Sequence, residues 1–514
     1  VAVDTRRAPT RFDPGAFEQF RFTARELDAH GRVTLSYALD DRVEFVESFE
    51  LPLGAPARRL TDAERARVEG LLALLHWVAG VSYYKTALPP RICYGAGVSP
   101  APGAPLAPGV SMAPGAPLAP GASPLTGVRS AAAAPPPAAA ALLEALYSEG
   151  LAELAYTNRL PGLPRPRFGR SPQLGGGEPR AAREDPQPRG GAPDAPLGRV
   201  LVPVGGGKDS AVALEIVRGA GCELALFSIG NAAPIARTVA AAGLAHLIVR
   251  RTLDPGLREL NAAGALNGHV PITAIVTCVA LLTAALNGFD AVAMANERSA
   301  SAGNVVWDGV EVNHQFSKGL RAERLLSAAV AELDELGAGA AGVRSFSVVR
   351  PASELAIARA FARMERYHDA FTSCNALFRL DPQLRAGSWC CDCPKCRFVF
   401  LALAPFSEPA HLRELFGSDL LDDERQFEGF ALLTATGGHK PFECVGEEQE
   451  SLAAMRLLAR DSRWRGHSVV ARLAAEVLPR FAEEQGDPAA VLELSDEHQV
   501  PAALEAEVRA VLGA

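Results

Sequence analysis

The chain has 514 residues, 48% of them hydrophobic, with 51 lysines and arginines against 59 aspartates and glutamates and a formal net charge of -8. This length gives ample material for about three domains, and the acidic balance excludes the broad basic face that extended nucleic-acid binding needs. The longest apolar stretch, Ile272 to Leu286, is too short for a membrane span and contains three threonines, while residues 1–20 carry arginines instead of an apolar signal core, so the expectation is a cytoplasmic protein with no membrane partner.

Residues 19–51 alternate in the manner of antiparallel strands: Phe20 and Phe22, then Val33, Leu35, Tyr37 and Leu39, then Val43, Phe45 and Phe49. Thr61 and Glu64 form a capping box ahead of a helical stripe that ends at Gly80. These elements predict an N-terminal α+β domain over 1–160. The nine-residue string at 101–109 recurs at 113–121, and Ala131 to Ala141 is alanine and proline alone, so a mobile insert is expected at about 97–141. A helical segment follows within 142–160, then a flexible Gly/Pro/Arg-rich linker over 161–197.

From Val200 the pattern becomes alternating strand and helix, which predicts a parallel sheet core over 198–345 with ligands at the strand C-terminal ends. Strands are expected at Val200–Val204, Leu224–Ile229, His246–Val249 and Ala291–Ala295, the last presenting Asn296 and Glu297. Residues 346–514 hold a cysteine cluster followed by amphipathic helices, with a polar loop at 437–444.

Between the first of these strands and its helix lies Gly205-Gly206-Gly207-Lys208-Asp209-Ser210. Glycines let backbone N–H groups approach a ligand, and a helix N-terminus favours an anion, so a nucleotide phosphate is the expected guest. The spacing fits neither G-x-x-x-x-G-K-[ST] nor G-x-G-x-x-G. It resembles the Ser-Gly-Gly-x-Asp-Ser loop of the PP-loop ATP pyrophosphatases, with Gly205 in place of the first serine. The resemblance implies that Gly205, Gly206, Gly207 and Ser210 hold the triphosphate of ATP, with Lys208 adding charge. Asp209 is a candidate ligand for Mg²⁺ or, alternatively, a helix N-cap.

Cys390, Cys393 and Cys396 are spaced C-x-x-C-x-x-C, and Cys374 lies upstream; four thiolates suit a closed, structural Zn²⁺ site. Cys391 is an alternative ligand, and an iron–sulfur cluster or redox thiols are alternative uses of the cluster. Arg350-Pro351, a helix, Ser373-Cys374 and this cluster resemble the C-terminal half of the zinc-containing PP-loop enzymes that make a 7-deazaguanine nitrile. Only five lysines occur: Lys85, Lys208, Lys318, Lys395 and Lys440. In a chain that otherwise uses arginine, these are candidates for work that needs a compact ammonium.

Longer strings resemble a narrower family. Asn267 to Ile275, Asn296 to Ser301, Val312 to Lys318, Arg350 to Arg359, Cys393 to Phe400 and Lys440 to Glu447, with the glycine loop, are similar to the UDP-N-acetyl-α-D-muramoyl-L-alanyl-L-glutamate epimerases of bacterial peptidoglycan synthesis. That resemblance implies a PP-loop ATPase-like (adenine nucleotide α-hydrolase-like) α/β fold. It implies inversion of the terminal L-glutamate of UDP-N-acetylmuramoyl-L-alanyl-L-glutamate through an acyl-adenylate, releasing AMP and pyrophosphate, and a companion ligase that attaches L-glutamate. Proton transfer then falls to Glu297, His314 and Lys318, with Cys444 as a further candidate. The alternatives are another PP-loop reaction on a carboxylate or nucleobase, and a non-catalytic nucleotide and zinc module.

Overall fold

The computed structural model describes residues 11–54, 60–95, 128–169, 197–337, 342–378, 387–436 and 440–513. The repeated nine-residue string and most of the linker lie outside these residues, as does 437–439 of the polar loop.

Strands β1 (Gln19–Leu27), β2 (Arg32–Leu39) and β3 (Val43–Glu50) form the expected antiparallel meander, edged by β4 (Arg91–Tyr94) and β5 (Val128–Ala131). Thr61 caps the helix Asp62–Ala79 in the predicted box with Glu64. The parallel units follow as β6 (Arg199–Pro203), β7 (Glu223–Ile229), β8 (His246–Thr252) and β9 (Ala291–Met294), then the hairpin β10 (Val305–Trp307) and β11 (Val310–Val312), and finally β12 (Arg344–Ser347).

The two sets of strands are one sheet, in the order β12-β9-β6-β7-β8-β3-β2-β1-β4. The join is antiparallel pairing of β3 with β8, Phe49 facing Arg251. The N-terminal α+β unit therefore continues the parallel core instead of hanging from a linker. Period-two alternation sends Val200 and Val202 to one face and Leu201 to the other, and each face is buried. Leu201, Phe227 and Val249 share a core with Phe20, Leu35 and Phe45, while Val200 and Val202 pack with Phe398 and Phe400 of the cysteine-rich half.

Two sequence expectations are corrected. Residues 128–141 were assigned to the insert, yet β5 pairs with β1, and the helix Pro137–Ser148 starts inside the alanine–proline tract. Proline at the first turn is compatible with a helix and alanine favours one; Glu332 Oε2 accepts from the amides of Ala138 and Ala139 at 2.7 and 3.3 Å and so caps that helix from a distance. The core was expected to end at 345, but β12 runs through Ser347 and is the sheet's outer parallel strand. Among the described residues no helix is long and apolar enough to cross a membrane.

The join carries a buried ion pair. Glu47 on β3 is fully buried, and Arg251 Nε on β8 lies 2.5 Å from its Oε1, while Arg251 Nη2 donates to Ser82 Oγ at 3.1 Å. Burial raises the carboxyl pKa while Arg251 pulls it down. Arg251→Met strands that carboxylate, so urea denaturation should show a loss of about 3–5 kcal/mol, and Glu47→Leu added to it should recover most of the loss. Single and double variants of equal stability would contradict this account of the joint.

Candidate functional site

β6 lies between β7 and β9, so the strand order reverses at its C-terminal end, where an open α/β sheet places its ligand. The glycine turn stands there. Gly206 has φ +82°, and a Cβ on it would fall 2.6 Å from Pro234 Cβ and 2.7 Å from the Pro234 carbonyl carbon; one on Gly207 would fall 2.7 Å from Ser373 Oγ. At Gly205 a Cβ meets nothing within 4 Å. The helix begins at Lys208 with Gly207 as N-cap and no side-chain cap, leaving first-turn amides to meet an anion. Asp209 is therefore inside the first turn and is not the N-cap, and Ser210 Oγ donates to Gly207 O at 3.0 Å.

Directly behind the turn is Glu354, 1% exposed, at the start of the helix Glu354–Phe361. Lys208 is fully buried and pairs with both Glu354 and Asp209. The charge expected to reach a triphosphate is thus turned inward onto carboxylates. Lys395 Nζ approaches the other Glu354 oxygen at 3.5 Å. Burial disfavours the Glu354 carboxylate, but the two lysines outweigh it and hold its pKa at about 2. Asp209 moves the other way, raised by burial and by the Glu354 charge. Glu450 completes the base: its oxygens accept from Glu354 N and Glu447 N, each at 2.7 Å. Burial, then Glu354 and Glu447, push its pKa up to about 8.

Glu297 follows β9, as predicted, and an oxygen of it lies within 4.8 Å of oxygens of Asp209 and Glu354. It is 1% exposed, and neither carboxylate oxygen has a hydrogen-bond partner. Arg350, buried and paired with Glu323 at 2.8 Å, donates to the carbonyls of both Glu297 and Lys318. Burial opposes the Lys318 charge, but Cys444, Glu297, Asp209 and Glu354 raise its pKa well above the ordinary lysine range.

His314 follows β11 and leads away from this carboxylate cluster. Its Nδ1 lies 2.6 Å from Glu153 Oε2, and its ring is tilted by 42° to that of His269, centroids 4.3 Å apart. The Cys444 thiol is among the groups that act on its charge. Burial alone would lower its pKa; Cys444 and Glu153 raise it to about 9. His269, desolvated and beside His314, drops to about 4.

Cys374, Cys390, Cys393 and Cys396 converge, their sulfurs all within 4.8 Å of one another. Cys393 caps the helix Pro394–Leu403, accepting from Cys396 N at 3.4 Å, and Cys390 N donates to Cys374 Sγ at 3.4 Å. Cys391, at φ +58°, turns its thiol to Phe416 O at 3.3 Å and is not part of the set. The knuckle touches the glycine turn directly: Thr372 N donates to Gly206 O at 2.9 Å, next to Ser373 and Cys374.

Comparison with known proteins bears on this arrangement. The family model for the MurL N-terminal domain matches residues 11–106 and 126–340, and that for the MurL C-terminal domain matches 370–487. A UDP-N-acetyl-α-D-muramoyl-L-alanyl-L-glutamate epimerase of a Micromonospora species is 43% identical over 491 residues, 94% of this chain and 96% of its own length. The chain belongs to the UDP-N-acetyl-α-D-muramoyl-L-alanyl-L-glutamate epimerase family. Proteins of the same name from Salinispora tropica and Xanthomonas oryzae pv. oryzae are 42% and 38% identical, over 92% and 97% of this chain and 92% and 98% of their own lengths. No solved structure matches the chain.

In this family member the residues singled out by sequence fall into two groups. Gly205 to Ser210 and Glu297 meet at one rim and His314 belongs with Glu153, while Lys318 is held charged by Cys444 as well as by Glu297 and Asp209. Glu153, Glu354, Lys395 and Glu450 were not singled out for the site as a group; only the scarcity of lysine pointed to Lys395. Gly206→Ala should abolish epimerase turnover, since its Cβ has nowhere to go, whereas Gly205→Ser should fold and keep turnover within about threefold of the parent, a shift of under about 1 kcal/mol. The reverse ranking would overturn the geometry given for the turn.

Glu450 supplies a pH test. Its proton is kept in the folded protein up to about pH 8 but released by the unfolded chain near the ordinary glutamate value, so the group's contribution fades as pH rises through that window. Glu450→Gln loses one acceptor at every pH but has no proton to lose. Its stability deficit should shrink between pH 5.5 and 8.5, by up to about 1.4 kcal/mol per unit of pKa shift. A deficit constant with pH in thermal melts would show that Glu450 is ionised throughout.

Proposed function

We propose that this protein inverts the terminal L-glutamate of UDP-N-acetylmuramoyl-L-alanyl-L-glutamate to D-glutamate, at the expense of ATP cleaved to AMP and pyrophosphate, in the cytoplasmic synthesis of peptidoglycan precursors. The observation that carries the reading is the family membership over nearly the whole chain, joined to an uncapped glycine turn at the switch point of an α/β sheet. We read the parallel half of that sheet as a PP-loop ATPase-like core.

The chemistry explains why ATP is needed. A free carboxylate holds its α-proton tightly, because removing it places a second negative charge beside the first. Adenylation turns the carboxylate into a mixed anhydride whose enolate is accessible; the proton leaves one face, another arrives on the opposite face, and water frees the product and AMP. Gly205, Gly206, Gly207 and Ser210 bind the phosphates with backbone and hydroxyl donors. Lys208 anchors the turn by neutralising Glu354 and Asp209.

The carboxylates of Asp209 and Glu297, the latter with both oxygens unpartnered, suit a Mg²⁺ ion, which would offset phosphate charge. The sulfurs of Cys374, Cys390, Cys393 and Cys396 suit tetrahedral Zn²⁺, which would hold the knuckle against the glycine turn. The L-glutamate of the substrate must come from a ligase that adds the L-enantiomer.

The test supplies ATP, Mg²⁺ and the UDP-N-acetylmuramoyl dipeptide in D₂O. The expected products are AMP, pyrophosphate and D-glutamyl product deuterated at the α-carbon. Absence of both AMP and deuterium would remove the reading.

A further inference from the structure

One cluster is unused by the nucleotide site. Cys444 lies in the segment Lys440–Glu447 that leads into the helix Glu448–Arg460. That segment is fastened to the loops around β10–β11 at two points. Asn304 accepts from His314 N at 2.9 Å and donates to Pro441 O at 2.8 Å, and Gln315 Nε2 donates to Val445 O at 3.4 Å. These ties hold the thiol's segment against the loop that carries His314, which acts on the thiol's charge, and His314 Nδ1 in turn meets Glu153 Oε2 at 2.6 Å. A thiol, an imidazole and an orienting carboxylate in series are the parts of an activated sulfur.

The Lys318 ammonium, which donates to Gln315 Oε1 at 3.3 Å, links the cluster to the carboxylates beside the glycine turn, being held charged by Cys444 as well as by Glu297 and Asp209. Glu297 is buried with both oxygens unpartnered, so its carboxylate is left to be met by a ligand. A glutamyl carboxylate adenylated beside Asp209 would carry its α-carbon one bond further on.

Resting on the epimerase reading, we propose that Cys444 Sγ is one of the two groups that move the glutamyl α-proton, with His314 as its proton partner and Glu153 as the positioning residue for His314. The thiolate takes the α-hydrogen of the acyl-adenylate: the C–H bond breaks, an S–H bond forms, and the electron pair passes into the enolate. A second acid protonates the opposite face, the carbonyl re-forms, and water cleaves the anhydride to carboxylate and AMP. The thiol returns its proton through His314 to solvent.

The charged groups facing the sulfur favour this state. Burial raises the thiol pKa, but Lys318, His314 and Lys395 bring it down to about 7. With His314 at about 9, a thiolate and an imidazolium coexist near neutrality.

The experiment uses the full chain and compares the parent with Cys444→Ala and Cys444→Ser. Substrate-dependent pyrophosphate release reports adenylation, and deuterium at the glutamate α-carbon in D₂O reports proton transfer. Both variants should keep pyrophosphate release within about threefold while losing deuterium incorporation and inversion by about 10²–10⁴-fold. His314→Gln and Glu153→Gln should raise the pH midpoint of Cys444 alkylation, followed by peptide mass, a readout that a purely structural role would leave in place. Inversion at the parent rate in Cys444→Ala, or equal loss of pyrophosphate release and inversion in both folded variants, would overturn the assignment. A parent enzyme that releases no pyrophosphate with this substrate would overturn the epimerase reading itself, and the assignment with it.

Discussion

The site depends on one buried carboxylate. Glu354 receives Lys208 from the glycine turn and Lys395 from the cysteine knuckle, while its own backbone amide is held by Glu450 from the segment beyond. Three elements remote in sequence are thus pinned to the first turn of one helix. A buried charge with two cationic partners is strongly penalised when either partner is lost, so the arrangement specifies a single geometry more than it adds net stability. It also sets the local polarity. Burial and the Glu354 charge leave Asp209 disfavoured as an anion although it shares Lys208, a condition that an added cation would reverse.

The second constraint is architectural. By pairing β3 with β8, the chain makes the N-terminal meander an extension of the parallel sheet and so gives both halves a common core. This brings the helix Ala152–Thr157, and with it Glu153, to the rim where His314 stands. The cluster of Glu153, His314 and Cys444 is assembled from the N-terminal half, the β10–β11 loops and the C-terminal segment together. None of these could hold it alone.

Much of this was legible in the sequence. The glycine turn, the strand ending in Asn296 and Glu297 and the four-cysteine set follow from local spacing, which encodes turns, strand ends and ligand geometry within a few residues. The scarcity of lysine was equally informative: Lys85, Lys208, Lys395 and Lys440 are all buried, as a chain that reserves its compact cations for interior work requires. What escaped was long-range. Glu153 and His314 are 161 positions apart, Lys208 and Glu354 146, and no periodicity records which carboxylate will meet which base. The alanine–proline tract misled for a related reason: its helix is capped by Glu332, whose approach is set by tertiary packing.

Arg350 bears on how two of these groups move. Its guanidinium grips Glu323 and, through separate N–H groups, the carbonyls of Glu297 and Lys318. A planar group has fixed spacing between its donors, so it works as a caliper: the backbones carrying an acceptor and an ammonium are held at a set span. A displacement of one loop would therefore strain the hydrogen bond to the other. A lysine there would keep the charge but lose the gauge.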